Sequence, residues 1–266
     1  MSAASGAAPL REDDAGWYLY GVVARAEAPN GFGSRPGIDP RHEVVVRPEG
    51  PLAGVTSRVS LDEFDEAALP ERLSDAAWLE QKIRAHEQVL EQVLAQTPVL
   101  PCRFCTVFRS EDHLRGFLAE RRDLLADALA RVAGRVELGV KAYAAATEPS
   151  TESREATSGR AYLEARQREQ RAREELAAFR SRFADELHAR LLAGSADGVA
   201  LALQRPELSG REEEMLFNGA YLVEDRRRFE QELEALAGDY RESGVELELT
   251  GPWPPYNFVP AELGRP

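Results

Sequence analysis

Lysine is almost missing from this sequence. Of 33 basic residues in 266, only Lys82 and Lys141 are lysine; the rest are arginine. Acidic residues number 46, and the formal net charge is −13. The imbalance is even along the chain, with 15 basic against 21 acidic residues before Val132 and 18 against 25 after it. Neither half is a basic module, so the phosphate-neutralising patch that nucleic-acid binding needs is not evident. Such acidity serves solubility. Cysteine is scarce as well. Cys102 and Cys105 alone do not make a disulfide framework, and a reducing compartment is expected. No uncharged apolar run approaches the roughly 18 residues that suggest a transmembrane helix. The opening MSAASGAAPL lacks the basic start and apolar stretch of a secretory signal. Residues 1–15 are expected to be a disordered tail on a cytoplasmic protein, with no membrane partner.

What is present is 43% hydrophobic and 30% charged, enough to bury a core. GWYLYGVVA (Gly16–Ala24) is aromatic and β-branched and reads as a strand. A loop rich in proline and glycine follows, with short strands expected at His42–Arg47 and Ala53–Ser60. From Ser74 the period becomes helical: Leu79, Ile83, His86, Leu90 and Val93 share a face, Ser74 or Asp75 can cap the start, and Pro98 lies beyond the end. PVLPCRFCTVF (Pro98–Phe108) reads as one strand. A helix capped by Ser110 carries Leu114, Phe117, Leu118, Leu125 and Leu129 and stops at Gly134.

The second half reads as strand Arg135–Ala145, polar loop Ala146–Gly159, long helix from about Arg160 to Ala193, strands Gly198–Gln204 and Glu214–Val223, helix Glu224–Ser243 and strand Gly244–Gly251. The long helix places Ala165, Ala172, Leu176, Phe179, Phe183, Leu187 and Leu191 on one face. The order βαββαβ is the split βαβ pattern. The expected fold is α+β in two domains: an N-terminal α+β domain over 16–132 and a C-terminal ferredoxin-like domain over 133–251, an antiparallel sheet with its helices on one face. The last stretch, 252–266, is expected to pack on the fold as a tail of prolines and aromatic rings.

Few residues point to chemistry. Cys102 and Cys105 form a CxxC, but inside a strand residues three apart face opposite ways, so the sulfurs diverge. No second CxxC or histidine pair completes a metal site. His42, His86, His113 and His188 share no ligand spacing. His86 alone lies on a clear apolar stripe, where a core role is the plainer reading. NGFGSRPG (Asn30–Gly37) fits neither phosphate-binding pattern and reads as a flexible loop. Arg226, Arg227 and Arg228 read as a solvated helix face. No nucleophile triad is present. No catalytic, cofactor or metal residue is assigned, and no cofactor is expected.

Near its end the sequence reads TGPWPPYNFV (Thr250–Val259). This stretch, with LFNGAYLVEDRRRFEQELEALAGDYRESGVELEL before it, resembles the C-terminal part of the GvpF/GvpL gas vesicle protein family, whose signature there is TGPWPPYsFv. YLYGVV (Tyr18–Val23) resembles the family's opening strand. HEQVLEQVL (His86–Leu94) followed by VLPCRFCTVF (Val99–Phe108) resembles its histidine-containing helix and lPvRFGTvf strand. VELGVKAY (Val136–Tyr143) and GRAYLEARQ (Gly159–Gln167) resemble its central strand and following helix. The likeness runs from about Trp17 to Val259. Cys105 departs from the glycine often found there.

The resemblance implies a part in forming gas vesicles, hollow protein shells that give cells buoyancy, and a place in the cytoplasm and at the vesicle. It implies a non-enzymatic accessory or minor structural protein whose partners are the small hydrophobic shell subunit and other gas vesicle accessory proteins. The alternative is a small-molecule-binding or enzymatic α+β protein with an unidentified site. A pocket around His86 would favour it. Trp253, Tyr256 and Phe258 are the candidate partner-binding residues. A third reading takes Pro252 and Pro255 as a PxxP ligand. Against it, large rings close to a folded domain are more often buried, and these three are expected to be. Gly251 and the prolines are expected to end the last strand, with Trp253–Pro254 the candidate cis bond.

Overall fold

A computed structural model describes residues 14–29, 32, 34–144, 159–241 and 243–264. The expected N-terminal tail lies outside the described residues except for its last two positions, as does the polar loop except for Gly159. The fold is α+β, built on two antiparallel sheets. The chain divides into two compact units: Met1–Gly134 with Pro254–Pro266, and Arg135–Trp253.

In the first unit, strand β1 (Ala15–Ala24) lies at the centre. It is flanked on one side by β2 (Val45–Glu49) and β3 (Leu52–Ser60), in the order β2-β3-β1. Helices α1 (Leu61–Phe64), α2 (Leu69–Ser74) and α3 (Ala76–Leu94) follow, then the short strands β4 (Leu100–Pro101) and β5 (Val107–Phe108), which both pair with β1 on its other side. Helices α4 (Glu111–Glu120) and α5 (Arg122–Val132) complete it. Tyr18, Tyr20, Val55 and Val59 pack with Leu90 and Val93 of α3. Leu19 lies on the opposite face, against Gly54 and near Leu118 of α4. Helices therefore cover both faces of β1, and nine of its ten residues are buried. A strand buried on both faces reads as a near-continuous apolar run rather than an alternation.

The local signals explain the helix starts. Asp75 caps α3, accepting from the amides of Ala77 and Trp78, and Ser110 caps α4, accepting from His113. Such caps satisfy amides that the first helical turn leaves unpaired. Two expectations fail here. The single helix after Ser110 is broken at Arg121, which leaves helical dihedrals at φ −105°. No residue there forbids a helix. The strand expected over Pro98–Phe108 is likewise interrupted, because Cys102 to Thr106 swing out as a turn between β4 and β5. The turn stays fastened to β1, with the Cys102 amide on the Tyr20 carbonyl at 2.8 Å and the Leu19 amide on the Thr106 carbonyl at 2.9 Å.

The second unit contains β6 (Val136–Ala144), α6 (Gly159–Ala193), β7 (Asp197–Ala200), α7 (Pro206–Ser209), β8 (Met215–Val223), α8 (Arg226–Arg241) and β9 (Val245–Trp253). The sheet order is β7-β8-β6-β9 and every neighbouring pair is antiparallel. Phe183, Leu187 and Leu191 of α6 join Phe229, Leu233 and Leu236 of α8 over Leu138, Val140 and Tyr221 of the sheet. The expected stripe positions Ala165, Ala172 and Leu176 lie outside the described side chains. Arg226, Arg227 and Arg228 are exposed, and Arg226 bonds Glu230 one turn on at 2.7 Å.

The last strand does not stop at Gly251. It runs through Pro252 to Trp253, which pairs with Glu137 across a register shift. Proline is tolerated because β9 is an edge strand and its outer side needs no donor. Gly251 adopts φ +103°, and a Cβ there would come within 2.9 Å of the Glu137 carbonyl, so only glycine fits. The cis bond is Gly251–Pro252, not Trp253–Pro254.

Candidate functional site

The densest group of buried polar side chains lies in the first unit, around α3. Trp78, Lys82, His86, Val89 and Val93 share its inward face. His86 is held between rings, stacked on Tyr20 with centroids 5.7 Å apart and edge-on to Phe104 at 5.9 Å. Its Nδ1 lies 2.9 Å from the Tyr18 hydroxyl and its Nε2 3.2 Å from the Tyr256 hydroxyl.

The neighbours fix the direction of these bonds. The Cys105 amide donates to the Tyr18 oxygen at 3.0 Å, leaving the Tyr18 hydroxyl hydrogen for Nδ1. Tyr256 donates to Glu87 Oε1 at 2.8 Å, so its oxygen accepts from Nε2–H. One directed chain results: Cys105 amide to Tyr18 to His86 to Tyr256 to Glu87. It requires a neutral imidazole protonated at Nε2. Burial agrees, lowering the His86 pKa to about 4 because the cation would lose its hydration.

Beside this chain, Lys82 is buried. Its Nζ lies 2.8 Å from Glu63 Oε1 and donates to the Ile38 carbonyl at 3.1 Å. The same Glu63 oxygen accepts from Trp78 Nε1 at 2.7 Å. The Phe64 and Trp78 rings flank the ammonium at 5.2 and 5.8 Å. The helical pattern missed Trp78 and Lys82, and it put Ile83, which is exposed, in their place. A signal existed. One of only two lysines in a chain of arginines lies one turn before His86. A compact ammonium fits a closed niche that the planar guanidinium fork does not.

The loop over Asn30–Gly37 is bonded to its surroundings at its C-terminal end; Asn30, Gly31 and Gly33 lie outside the described residues. Gly37 passes so close to Ser57 that no side chain fits, its amide bonds the His42 carbonyl at 2.7 Å, and the Ile38 amide donates to the Tyr20 hydroxyl at 2.6 Å. A groove of about 390 Å³ runs between this loop and α3, lined by Arg35, Ile38, Gln81, Ala85 and Gln88 among others. His86 does not line it.

The CxxC falls in the turn, not in a strand. Cys102 is buried, and burial raises its thiol pKa. Burial also pushes Cys105 up to about 12, against a smaller opposing pull from Lys82. Both are thiols at neutral pH, whereas the thiolate is the nucleophile and metal ligand. Among the described residues no group of three or more His, Cys, Asp or Glu could hold a metal ion. His188 is spent in the second unit, its Nδ1 2.9 Å from the Tyr221 hydroxyl. Cys105 has φ +65°, a conformation that suits glycine. Cys105→Gly is therefore expected to raise stability by up to about 1 kcal/mol, read as a higher denaturation midpoint, while Cys105→Val lowers it.

The tail rings separate. Trp253 ends β9 and is 45% exposed, against expectation. Its indole N–H meets the Thr250 hydroxyl at 3.2 Å. Tyr256 is half-buried on His86 and Glu87, and Phe258 is buried. Of the PxxP prolines, Pro252 is exposed but Pro255 is buried, so this PxxP is not free in the way a polyproline ligand must be. The Tyr18 and Tyr256 hydroxyls and both His86 ring nitrogens are turned on one another, and the arrangement's chemistry is fastening: it ties the segment after β9 to α3.

Known proteins share this architecture. The structure aligns with the crystal structure of the gas vesicle protein GvpF from Anabaena sp. PCC7120 at TM-score 0.67 and 18% identity, covering 92% of this chain and 96% of that one. It aligns with GvpF from Microcystis aeruginosa at TM-score 0.63 and 20% identity, covering 91% and 98%. In sequence it is 38% identical to Gas vesicle protein L of a Streptomyces strain over 254 residues, 91% of this chain and 92% of the relative. It is 30% identical to Gas vesicle protein F2 of Halobacterium salinarum over 204 residues, 75% of each. The family model described as "Gas vesicle synthesis protein GvpL/GvpF" matches residues 16–260, and the chain belongs to that family.

Proposed function

We propose that this protein is a non-enzymatic accessory or minor structural component of gas vesicles that binds the small hydrophobic shell subunit, together with other gas vesicle accessory proteins, during vesicle formation in the cytoplasm. The observation that carries this reading is the family match across residues 16–260. The polar cluster favours a non-enzymatic role, since its members are spent on one another and the adjoining groove does not reach His86. No helix among the described residues is long and apolar enough to cross a membrane.

The division of labour we favour has an N-terminal α+β domain, a ferredoxin-like domain from about residue 133, and a tail from 252 that serves the fold. The order β7-β8-β6-β9, with β8 between the strands that α6 connects, supports the ferredoxin-like reading. Of Trp253, Tyr256 and Phe258, the exposed Trp253 is the ring best placed to touch a partner, since amphipathic rings are enriched at interfaces. A binding role suits the physics of shell assembly, in which apolar surface and strand edges must be covered before they aggregate.

Co-purification tests the proposal. Tagged protein expressed with the shell subunit is expected to retain it through washing, and a deletion strain is expected to make few or no vesicles. No retention, together with normal vesicles in the deletion strain, would overturn the reading.

A further inference from the structure

The second sheet has one long open edge. β9 spans nine residues and, among the described residues, its only strand neighbour is β6. The opposite edge, β7, spans four residues. In the first sheet, the edge strand β2 spans five and carries Pro48. An unpaired edge presents a row of amides and carbonyls, and proteins usually blunt it with lysine, proline, a bulge or a covering element. In β9 such features come only at the end, at Gly251 and Pro252. The stretch Val245–Thr250 has no lysine, proline or bulge, and the charges of Glu246 and Glu248 are what guard it.

The side chains along this stretch are sorted by face. Val245, Leu247 and Leu249 lie with the apolar cluster beneath α6 and α8. Glu246 and Glu248 take the other face, where Arg211 reaches them at 2.7 and 3.3 Å while also holding Glu213 at 3.2 Å. Arg211 thus serves three carboxylates, and Lys141 of β6 lies in register with Glu248, so Glu213, Glu246 and Glu248 face two basic side chains and a negative excess remains. A strand added beside β9 would set its own side chains against these in the same alternation.

The charge pattern selects the occupant. Antiparallel pairing of β9 with a second copy of itself would bring Glu246 and Glu248 against the same residues of the other chain. Like charges directly opposite are destabilising, and each chain already carries a net charge of −13. We propose that β9 takes up an extended strand from a different protein, one whose residues alternate between apolar side chains and arginine or lysine. This β-augmentation would draw affinity from main-chain bonds and register from the alternating side chains. The inference rests on the reading of the protein as a partner-binding vesicle component, and names the surface and the partner's chemistry.

The test uses the full chain and a capped nonapeptide of alternating valine and arginine at physiological salt. The readout is amide hydrogen exchange. The peptide is expected to slow exchange at alternate amides of Val245–Thr250 by about tenfold or more at saturation. The same residues in scrambled order, and a peptide alternating valine with glutamate, are expected to leave them unchanged. In Glu246→Lys/Glu248→Lys the preference should pass to the glutamate peptide. Equal protection by the scrambled peptide, or binding without protection of β9, would reduce the effect to general charge attraction and overturn the proposal. Protection that rises with protein concentration in the absence of peptide would assign the edge to a second copy and overturn it too. The peptide arm reads β9 alone and co-purification reads the proposed function alone, so either can fail without the other.

Discussion

His86→Ala is expected to cost the first unit about 3–5 kcal/mol, among the largest effects of any single polar substitution here. Three losses combine. The ring leaves a cavity among Tyr18, Tyr20 and Phe104, and truncating a large buried side chain costs about 2–5 kcal/mol. The Tyr18 hydroxyl loses its acceptor in a fully buried position. The Tyr256 oxygen loses the Nε2–H donor. A buried polar group left without its partner costs about 1–3 kcal/mol. The fall should be seen in denaturant melts followed by a first-unit probe, with faster exchange of the Tyr256–Phe258 amides. Tyr256→Phe keeps the ring and should cost only about 1–2 kcal/mol, yet loosen the same segment. A His86→Ala protein with an unchanged midpoint would show that the chain of bonds contributes nothing.

The same residue gives the first unit a pH dependence of known sign. His86 has a folded pKa near 4 against 6.5 when unfolded. Between those values the unfolded chain binds the proton and the folded one does not. The contribution is therefore fully present above pH 6.5 and is lost as pH falls towards 4, at a limiting slope of about 1.4 kcal/mol per pH unit. In His86→Ala that part of the slope should vanish.

Glu63→Ala is expected to be nearly as damaging, and the comparison with its partner is the diagnostic result. Removing Glu63 strips the buried Lys82 ammonium of its counter-charge and the Trp78 indole of its acceptor. Breaking a buried ion pair from one side costs about 3–5 kcal/mol, because the other charge is left uncompensated. Lys82→Met should cost distinctly less. Methionine fills the niche between Phe64 and Trp78, and the Glu63 carboxylate, at 23% side-chain exposure, can regain water while keeping its indole donor. The double variant Glu63→Leu/Lys82→Met should recover much of the loss, since a packed apolar pair often matches a buried ionic one. Urea midpoints of Glu63→Leu, Lys82→Met, their double variant and the parent form the cycle. Additive losses would show that the pair is not coupled.

These residues also show where the sequence was legible. β1 could be seen because aromatic and β-branched residues run without a break, and α3 and α4 because Asp75 and Ser110 sit where caps must. The order of strands and helices in the second half could be read from the switch between period two and period three to four. The turn at Cys102–Thr106 could not. Its residues are good strand formers, and it exists because Tyr18 and Tyr20, some eighty residues away, supply the bonds that hold it. The phase of α3 was misread for a related reason. Lys82 counts as polar in any pattern, and only Glu63, brought in by α1, makes its burial tolerable. Trp253 went the other way. Its company of prolines suggested a buried ring, but continuation of β9 through Gly251 and Pro252 carries it into the open. The His86 chain was invisible as a network. His86 and Tyr256 are 170 positions apart, and nothing local links them.

The segment from Pro254 onward belongs to the first unit, whereas everything from Arg135 to Trp253 belongs to the second. The first unit is thus discontinuous, with the second spliced into it. On the ribosome this sets an order of events. Residues 14–134 emerge first, yet His86 and Glu87 wait for Tyr256 until the whole second unit has been made. A chain released early, anywhere before Tyr256, carries a first unit whose buried imidazole lacks an acceptor for its N–H. The first unit's polar chain therefore closes only after the second unit has been made.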